Sequence, residues 1–385
     1  MTGLTFPSPD NENYGLSDAA LRGTWYDIDL GAIRHNYLQL RKHLSARVKV
    51  FACLKRNAYG CGAGPVAAAL AGEHIDGFAV ASLLDAIAIR RAGPLNPILL
   101  YPGVTISAAA VVESLDLIIS VSSLDELRQW TAVIDRLRVF IKLDLGFFRA
   151  GATPAQAKKL IAAAATDPNI RLEGIYAHMS ELPSARPTDA TIQHRRMTDV
   201  IRALDDIGIH PPLVMMSSTD GVLNHPEMDF DAVDPGALFV GIGENSARAR
   251  KVELRPALKA ISTHLVSVKR LDTSLGPVPD LPGYIPGMMV GVIGMGWGDG
   301  VPRQNTRDTF ALVRGSRAKL LAPAHLEHIR VDLTEIPDAR TGDEVVLLGQ
   351  QGSETIMHDE VCAAWGTDIV GLYAELRDHI PRRYL

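Results

Sequence analysis

The stretch that decides the fold is GFAVASLLDAIAIRR, residues 77–91. It opens with the run Gly77 to Ser82, which is short, apolar and uncharged, as a buried strand is. Apolar residues then recur at helical spacing from Leu83 to Arg91, and Gly93-Pro94 ends that segment. A strand followed directly by an amphipathic helix is typical of one β/α unit in a parallel sheet.

The same alternation continues on both sides of this unit. Eight apolar runs can be counted, at Val48 to Leu54, Gly77 to Ser82, Pro97 to Pro102, Asp116 to Val121, Arg138 to Asp144, Leu172 to Met179, Leu213 to Ser217 and Ala232 to Val240. Eight β/α units in roughly 200 to 250 residues predict an α/β fold, the (β/α)8 TIM barrel, with catalytic groups at the C-terminal ends of the strands. A doubly wound open sheet is the competing arrangement, but no Gly-x-Gly-x-x-Gly motif follows the first run.

The pattern changes after residue 256. Strand-like runs separated by Gly, Pro and Asp turns follow at His264 to Leu271, Met288 to Trp297, Phe310 to Leu321, His328 to Leu333 and Val345 to Gly349. One short helix is expected at Asp359 to Trp365. We therefore predict two domains: residues 1–256, the barrel with an N-terminal extension, and residues 257–385, a mostly-β domain.

Composition narrows the class of protein. The net charge is -5 and 22% of the 385 residues are charged, which argues against nucleic-acid partners. Three scattered cysteines are too few for a disulfide framework or a metal cluster, so no metal is expected and a reducing cytoplasm fits best. The polar run Pro9 to Asn13 does not fit a signal peptide, and no stretch has the roughly 18 apolar residues of a membrane span.

Lysine 55 stands where the first apolar run ends, in LKRNAYGCG, residues 54–62. A lysine that leaves an apolar strand at the catalytic end of a barrel is dehydrated, which lowers its pKa and makes its amine a usable nucleophile and base. The glycines of this segment let the backbone approach a ligand closely. The alternative interpretation, a surface lysine at a strand end, is equally compatible with the spacing alone.

This segment resembles the cofactor-lysine motif of the alanine racemase family, the fold type III enzymes that use pyridoxal 5'-phosphate (PLP). Three further segments are similar to the family in the same order: YDIDLGAIRHN at residues 26–36, GFAVA at 77–81 and KLDLGFFRAG at 142–151. The resemblance implies a PLP-bearing barrel, a β-rich C-terminal domain and an amino acid as substrate. It also implies a head-to-tail homodimer in which each C-terminal domain completes the partner's active site.

Carried over by position, Lys55 would bind PLP as a Schiff base and act as a catalytic base. Tyr59 would contact the cofactor's phosphate. Ser218, in the segment SSTDG, matches a phosphate-binding serine, and a hydroxyl with free backbone N–H groups in such a turn suits an anion. Gly236 and Ala237 match residues that offer backbone N–H groups to the same phosphate.

Three more residues match the cofactor site. Arg149 would lie beside the phenolic oxygen of PLP, where a guanidinium suits an anionic neighbour. His178 matches the histidine that packs against the cofactor ring. Lys142 matches a position that is sometimes carbamylated, a modification that cannot be read from sequence. Without the surrounding motifs, Arg149 would be read as an ordinary ion pair and His178 as a core residue.

Two departures from the family pattern bear on the chemistry. Asp234 stands where the family has an arginine that contacts the pyridine nitrogen, and a carboxylate favours a protonated ring nitrogen, hence a stronger electron sink. Trp297, in GWGDG, replaces a tyrosine that is the second catalytic base, and an indole exchanges no proton near neutral pH. His325 is our first candidate for that second base, with Glu327 or His328 as the alternatives, and Trp297 and Leu326 are expected in the substrate pocket.

The sequence leaves three functions open. The leading one is a PLP-dependent amino-acid racemase of the alanine-racemase type, with an altered or broad substrate range. The alternative is a PLP-dependent lyase, aldolase, decarboxylase or half-transaminase, for which one base on one face suffices. A third is a PLP-binding protein without catalysis, against which the β-rich domain argues.

Overall fold

The chain divides into two compact units. The computed structural model describes residues 23–179, 187–243, 249–272, 274, 276, 284–304 and 308–385. One unit is Leu30–Ala257, and the other combines the N-terminal segment up to Asp29 with Leu258–Leu385. The run Pro9 to Asn13 lies outside the described residues.

The first strand, β1 (Trp25–Ile28), belongs to the second unit, although we assigned residues 1–256 to the barrel domain. All four of its residues are buried, and it pairs antiparallel with residues 258–262, beyond the predicted boundary. A strand this short carries little periodicity of its own, and its pairing partner lies more than 200 residues away. The sequence pattern therefore gave no means of placing it.

The unit Leu30–Ala257 is a closed barrel of parallel strands, as predicted. Within the described residues its eight strands are β2 (Lys49–Cys53), β3 (Gly77–Val80), β4 (Ile98–Leu100), β5 (Leu117–Val121), β6 (Leu137–Lys142), β7 (Ile170–Tyr176), β8 (Val214–Ser217) and β9 (Ala232–Val233). The pairing of Lys49 with Ala232 closes the barrel. The predicted run Ala232 to Val240 holds only a two-residue strand, because Pro235 and Gly236 interrupt it before a 3₁₀ turn at Ala237–Val240.

Helices connect these strands. They are α1 (Leu30–His43), α2 (Ala63–Gly72), α3 (Leu83–Arg91), α4 (Ala109–Ser114), α5 (Leu124–Thr131), α6 (Pro154–Thr166), α7 (Pro187–Asp205) and α8 (Thr219–Asn224). Hydroxyl caps fix several starts: Ser82 accepts from the backbone N–H of Asp85, and Thr153 forms a capping box with Gln156. No helix among the described residues has the length and apolar character needed to cross a membrane.

One inward side chain from each barrel strand forms the central layer of the core. The layer consists of Phe51, Ala79, Leu99, Ile118, Phe140, Tyr176, Met215 and Ala232. Glycines make room for its rings, since a Cβ at Gly77 would lie 2.5 Å from Phe51 and one at Gly174 would lie 2.5 Å from Phe140. Each ring therefore packs over a glycine on the neighbouring strand, and the layer closes the core beneath the strand ends.

The second unit is β-rich, as predicted. Its remaining elements are β10 (Leu258–Arg270), β11 (Met289–Ile293), β12 (Phe310–Val313), β13 (Ser316–Leu321), β14 (Ile329–Asp332), β15 (Glu344–Gln351), β16 (Glu354–Ile356), α9 (His358–Trp365), α10 (Ile369–Ala374) and β17 (Arg382–Tyr384). In its described part, nine strands form one sheet in the order β16-β15-β12-β13-β14-β11-β10-β1-β17. A bidentate pair between Arg383 and Asp27, at 2.6 and 2.7 Å, ties β17 to β1.

Candidate active site

A cavity of about 410 Å³ lies in the barrel unit, at the C-terminal ends of the strands. The residues predicted for a barrel site all line it: Lys55, Tyr59, Arg149, His178, Ser218, Asp234, Gly236 and Ala237. Lys142 lines it as well. These residues follow five different strands, β2, β6, β7, β8 and β9, whose ends the fold brings together.

A left-handed turn carries Lys55 and Tyr59. Lys55 is the second residue after β2, and the next four residues, Arg56 to Tyr59, have φ between 53° and 56°. This conformation is unfavourable for L-residues, by about 1–2 kcal/mol each. The Asn57 backbone N–H donates to the Asp85 carboxylate at 3.0 Å, and the Asn57 side chain accepts from Ala63 at 2.7 Å. These bonds hold the strained turn, and with it the lysine, at the cavity.

Tyr59 packs tightly against Gly236. A Cβ at Gly236 would lie 2.4 Å from the Tyr59 hydroxyl oxygen, so only glycine fits there. Burial raises the pKa of Tyr59 well above its usual value, so the hydroxyl is protonated at working pH. The N–H groups of Gly236 and Leu238 both donate to Thr219 Oγ1 at 3.2 Å. Thr219, which the sequence did not single out, thus shapes the segment that was predicted to bind phosphate.

Asp234 is buried and only half satisfied. Tyr101 donates from its hydroxyl to Asp234 Oδ2 at 2.6 Å. The other carboxylate oxygen, Oδ1, has no hydrogen-bond partner within the described ranges. Burial raises the pKa of Asp234 to about 6, against the opposing effects of the Tyr101 hydrogen bond and of Lys142 and Lys55. The cavity therefore offers one buried acceptor atom to a ligand.

Lys142 is a buried cation at the end of β6. Its Nζ lies 4.4 Å from the centre of the Tyr176 ring and 5.8 Å from that of Tyr101. Burial, together with the nearby Arg149 and Lys55 cations and against the opposing effect of Asp234, lowers the pKa of Lys142 to about 8. A positively charged lysine in this position favours an anionic ligand.

Asp144 builds the loop that presents Arg149. Its Oδ1 accepts from the backbone N–H groups of residues 146, 147 and 148 at 2.9 to 3.1 Å, and its Oδ2 accepts from that of Arg149 at 3.1 Å. The Arg149 guanidinium stacks over the Phe147 ring at 4.4 Å, and the same ring lies 5.7 Å from His178. Burial and the nearby cations Arg149, Lys55 and Lys142 lower the pKa of His178 to about 3. His178 therefore presents a neutral imidazole.

Family models match both units. The model described as alanine racemase, N-terminal domain, matches residues 28–244, and the model described as alanine racemase, C-terminal domain, matches residues 286–384. The chain belongs to the alanine racemase family. The family's members are PLP-dependent amino-acid racemases, so the predicted enzyme class, isomerase, and the predicted cofactor are confirmed.

Individual relatives agree with the family models. The alanine racemase of Halothermothrix orenii is 28% identical over 374 residues, covering 94% of this chain and 97% of that protein. That of Syntrophobacter fumaroxidans is 29% identical and covers 92% and 95%. The crystal structure of alanine racemase from E. faecalis has a TM-score of 0.84 at 26% identity and covers 95% and 99%. The biosynthetic alanine racemase from Pseudomonas aeruginosa gives 0.75 at 29% and covers 94% and 99%.

The residues of the cavity fit this family's cofactor. PLP has an aldehyde, an anionic phosphate, a phenolic oxygen and a pyridine nitrogen, and the cavity offers a chemical counterpart for each. Lys55 supplies a primary amine, while Arg149 and Lys142 supply positive charge for the anionic groups. The unpartnered Oδ1 of Asp234 suits a protonated ring nitrogen. The hydroxyl of Ser218 lies among the lining groups.

Trp297, His325 and Leu326 belong to the β-rich unit, where they are neighbours. The Trp297 backbone N–H donates to the carbonyl of His325 at 2.9 Å, and a Cβ at Gly298 would lie 2.9 Å from the Leu326 side chain. Trp297 is 44% exposed and Leu326 is 54% exposed. The two apolar side chains that were predicted for a substrate pocket are thus both exposed and close in this unit.

The side chain of His325 is engaged. Its Nε2 lies 2.9 Å from the Arg330 guanidinium, which in turn donates to the Tyr284 hydroxyl at 2.8 Å. Because arginine can only donate, Nε2 must accept and cannot carry a proton in this arrangement. His325 would therefore have to release Arg330 before it could take a proton at Nε2. This geometry weighs against the predicted second base.

Proposed function

We propose that this chain racemises an amino acid at the cavity of the barrel unit, with Lys55 as the proton carrier on one face of Cα. The proposal depends chiefly on one observation: the amine of Lys55 and a buried, half-satisfied carboxylate, Asp234, line the same cavity. Bound PLP supplies an aldehyde that condenses with amines and a ring that accepts the electron pair of the broken Cα–H bond.

The chain's own residues then divide the work. Lys55 Nζ takes the proton from Cα or returns it. Asp234 Oδ1 would accept a hydrogen bond from the cofactor's protonated ring nitrogen, which favours electron withdrawal. Arg149 and His178 would orient the ring, Arg149 as a cation and His178 as a neutral imidazole. Tyr59, Ser218, Gly236 and Ala237 would hold the phosphate end: Tyr59 and Ser218 offer hydroxyl groups, and the tight contact of Gly236 with Tyr59 fixes the backbone there.

Alanine is the first substrate to test, because the relatives are alanine racemases, and we expect an altered or broader range. Single L-amino acids incubated with the holoenzyme in deuterated water should yield the deuterated D-enantiomer. Lys55→Ala should abolish both the visible absorbance of bound PLP and the exchange. Exchange that persists in Lys55→Ala, or wild-type protein that exchanges no amino acid, would contradict the proposal.

One observation keeps a second candidate function in view. With Nε2 of His325 engaged by Arg330, Lys55 remains as the proposed proton carrier on one face, and one face suffices for a lyase, an aldolase, a decarboxylase or a half-transaminase. The deuterium experiment separates them, since these reactions give a keto acid, an aldehyde or an amine. Arg330→Met, which frees Nε2, should raise the racemisation rate if His325 is the second base, and His325→Gln should then abolish that gain.

We also propose a homodimer in which the β-rich unit of each copy completes the partner's cavity with Trp297, His325 and Leu326. The exposed Trp297 and Leu326 side chains support a contact surface on that unit. Sedimentation should give a dimer, and mixing Lys55→Ala with Trp297→Ala subunits should restore activity that neither variant has alone. A monomer, or mixtures without recovered activity, would count against shared sites. The cytoplasmic location stays a prediction.

A further inference from the structure

We propose that Tyr101 is a positioning residue: its hydroxyl fixes the Asp234 carboxylate so that Oδ1 alone is left to accept the proton of the cofactor's ring nitrogen. The inference deepens the proposed function and rests on it, because the ring nitrogen belongs to PLP. No sequence motif pointed to Tyr101, which follows β4 directly and lines the cavity.

The geometry of the pair assigns the roles of its atoms. The separation of 2.6 Å between Tyr101 Oη and Asp234 Oδ2 is that of a strong hydrogen bond to a carboxylate. The carboxylate accepts, so the phenol donates. The backbone of Asp234 is held as well, since its N–H donates to the carbonyl of Ser217 at 2.9 Å. With one oxygen and the backbone fixed, the direction of Oδ1 is fixed too.

The ring of Tyr101 is itself held on several sides. Its backbone N–H donates to the carbonyl of Val80 at 2.8 Å, which continues the barrel ladder. Its ring lies 6.0 Å from the Tyr176 ring, and Lys142 Nζ lies 5.8 Å from its centre. The hydroxyl therefore has little conformational freedom, and its hydrogen bond restrains the Asp234 side chain as well.

A purely structural role does not account for the pair. Buried polar atoms in proteins are almost always hydrogen-bonded, yet the protein satisfies Oδ2 and leaves Oδ1, on the same buried carboxylate, without a partner in the described residues. A neutral amide or an apolar side chain would fill this space at lower cost. A carboxylate is the better residue here only if a cationic group donates a hydrogen bond to Oδ1 when the cofactor is bound.

The charges around Asp234 determine where the shared proton resides. Lys142 and Lys55 favour the ionised carboxylate, as does the Tyr101 hydrogen bond, whereas burial favours the protonated form. The other titratable groups that face it, Cys53, Tyr59 and Tyr176, are neutral because burial raises the pKa of each. Removing the Tyr101 hydroxyl therefore makes Asp234 more basic. The proton then shifts from the ring nitrogen towards the carboxylate.

The test uses the holoenzyme reconstituted with PLP labelled with ¹⁵N in the ring. In the wild type, the ring ¹⁵N resonance at neutral pH should lie at the position of a protonated pyridine. In Tyr101→Phe it should move towards the unprotonated position, and in Asp234→Asn it should move at least as far. We expect kcat to fall about tenfold in Tyr101→Phe while KM changes little. A tenfold fall corresponds to a change of about one unit in the pKa of the group that shares the proton.

Tyr176→Phe is the matched control. It removes a buried hydroxyl from the same wall, but that hydroxyl bonds Ser120 Oγ at 2.6 Å and not Asp234. Its ring resonance should stay at the wild-type position. Tyr101→Leu serves as a second variant without a hydroxyl, should the phenylalanine variant fold poorly.

Two results would overturn the inference: a ring nitrogen that is unprotonated in the wild type, or one that stays protonated in Tyr101→Phe or Tyr101→Leu while Asp234→Asn changes it. Failure of the proposed function would give a different result: the protein would exchange no Cα proton. If its ring nitrogen were still protonated and still responded to Tyr101→Phe, the positioning role of Tyr101 would stand.

Discussion

Replacing Gly236 by alanine tests how the shape of the site affects cofactor binding while its charge stays the same. The substitution adds one methyl group and no charge. At this position the methyl carbon would lie 2.4 Å from the Tyr59 hydroxyl oxygen, 2.9 Å from Tyr59 Cε2 and 3.0 Å from the carbonyl oxygen of Cys53. Tyr59 or the backbone at Gly236 must therefore move.

The expected cost follows from these contacts. All three distances are shorter than ordinary van der Waals contact, and overpacking of this kind typically costs about 1–3 kcal/mol. Backbone strain adds nothing, since φ at Gly236 is -126°. Tyr59 lines the cavity, so a shift of its ring into that space would take room from the cofactor's phosphate end. Because about 1.4 kcal/mol corresponds to a tenfold change in affinity, we expect PLP to bind at least about tenfold more weakly.

Two measurements test this expectation: urea denaturation of the apo protein and titration of PLP into it. Gly72→Ala is the control, because nothing lies within 4 Å of a Cβ at Gly72, at the end of α2. Tyr59→Phe combined with Gly236→Ala should recover part of the loss, since it removes the closest contact. A Gly236→Ala protein with wild-type stability and wild-type PLP affinity would refute the argument that Tyr59 packs against this backbone.

Three further outcomes are expected. Burial raises the pKa of Asp234 from 3.8 to about 6. The contribution of its protonated carboxyl to the stability of the apo protein is therefore present below about pH 4 and is lost as the pH rises through 6. The urea midpoint of the wild type, compared with that of Asp234→Asn, should fall across that interval, and a constant difference would contradict the expectation. Arg250 pairs with Asp229 at 2.9 Å in a buried site, so Arg250→Ala should lower the free energy of unfolding by about 3–5 kcal/mol, measured by urea denaturation. Asp144→Ala removes the acceptor of four backbone N–H groups in the Arg149 loop, so steady-state kinetics should show KM for the amino acid rising about tenfold, with the fold unchanged by circular dichroism.

The barrel could be predicted from the sequence because its signal is local. The helix predicted at Leu83 to Arg91 is α3 with the same bounds, and each of the eight predicted runs contains the core of a barrel strand. Lys55 could be proposed from its position after the first apolar run, whereas Asp234 was identified only through the resemblance to the alanine racemase family. Both lie close to strand ends, and in a parallel barrel all the C-terminal strand ends meet at one mouth.

What the sequence did not reveal depends on contacts between distant segments. Tyr101 and Asp234 are 133 residues apart, and only the closed barrel brings the phenol to the carboxylate. Thr219 looked like one more polar residue of a Ser-rich turn, but its hydroxyl accepts from two backbone N–H groups beyond β9. The engagement of His325 by Arg330 depends on the path of the chain between them, which spacing alone does not give.

Three unfavourable features of the barrel unit lie together at the cavity. Four consecutive residues in left-handed conformation carry Lys55, a buried carboxylate at Asp234 keeps one oxygen unpartnered, and a buried amine at Lys142 has a lowered pKa. The central layer of the barrel, by contrast, is apolar apart from the Tyr176 hydroxyl, which is hydrogen-bonded to Ser120. Strain and unsatisfied polarity persist in proteins only where the surrounding structure over-determines them, which is characteristic of ligand sites. An anionic cofactor with a protonated ring nitrogen would compensate the charge of Lys142 and give Oδ1 of Asp234 a hydrogen-bond partner, so the features that destabilise the barrel are those that make the cavity selective.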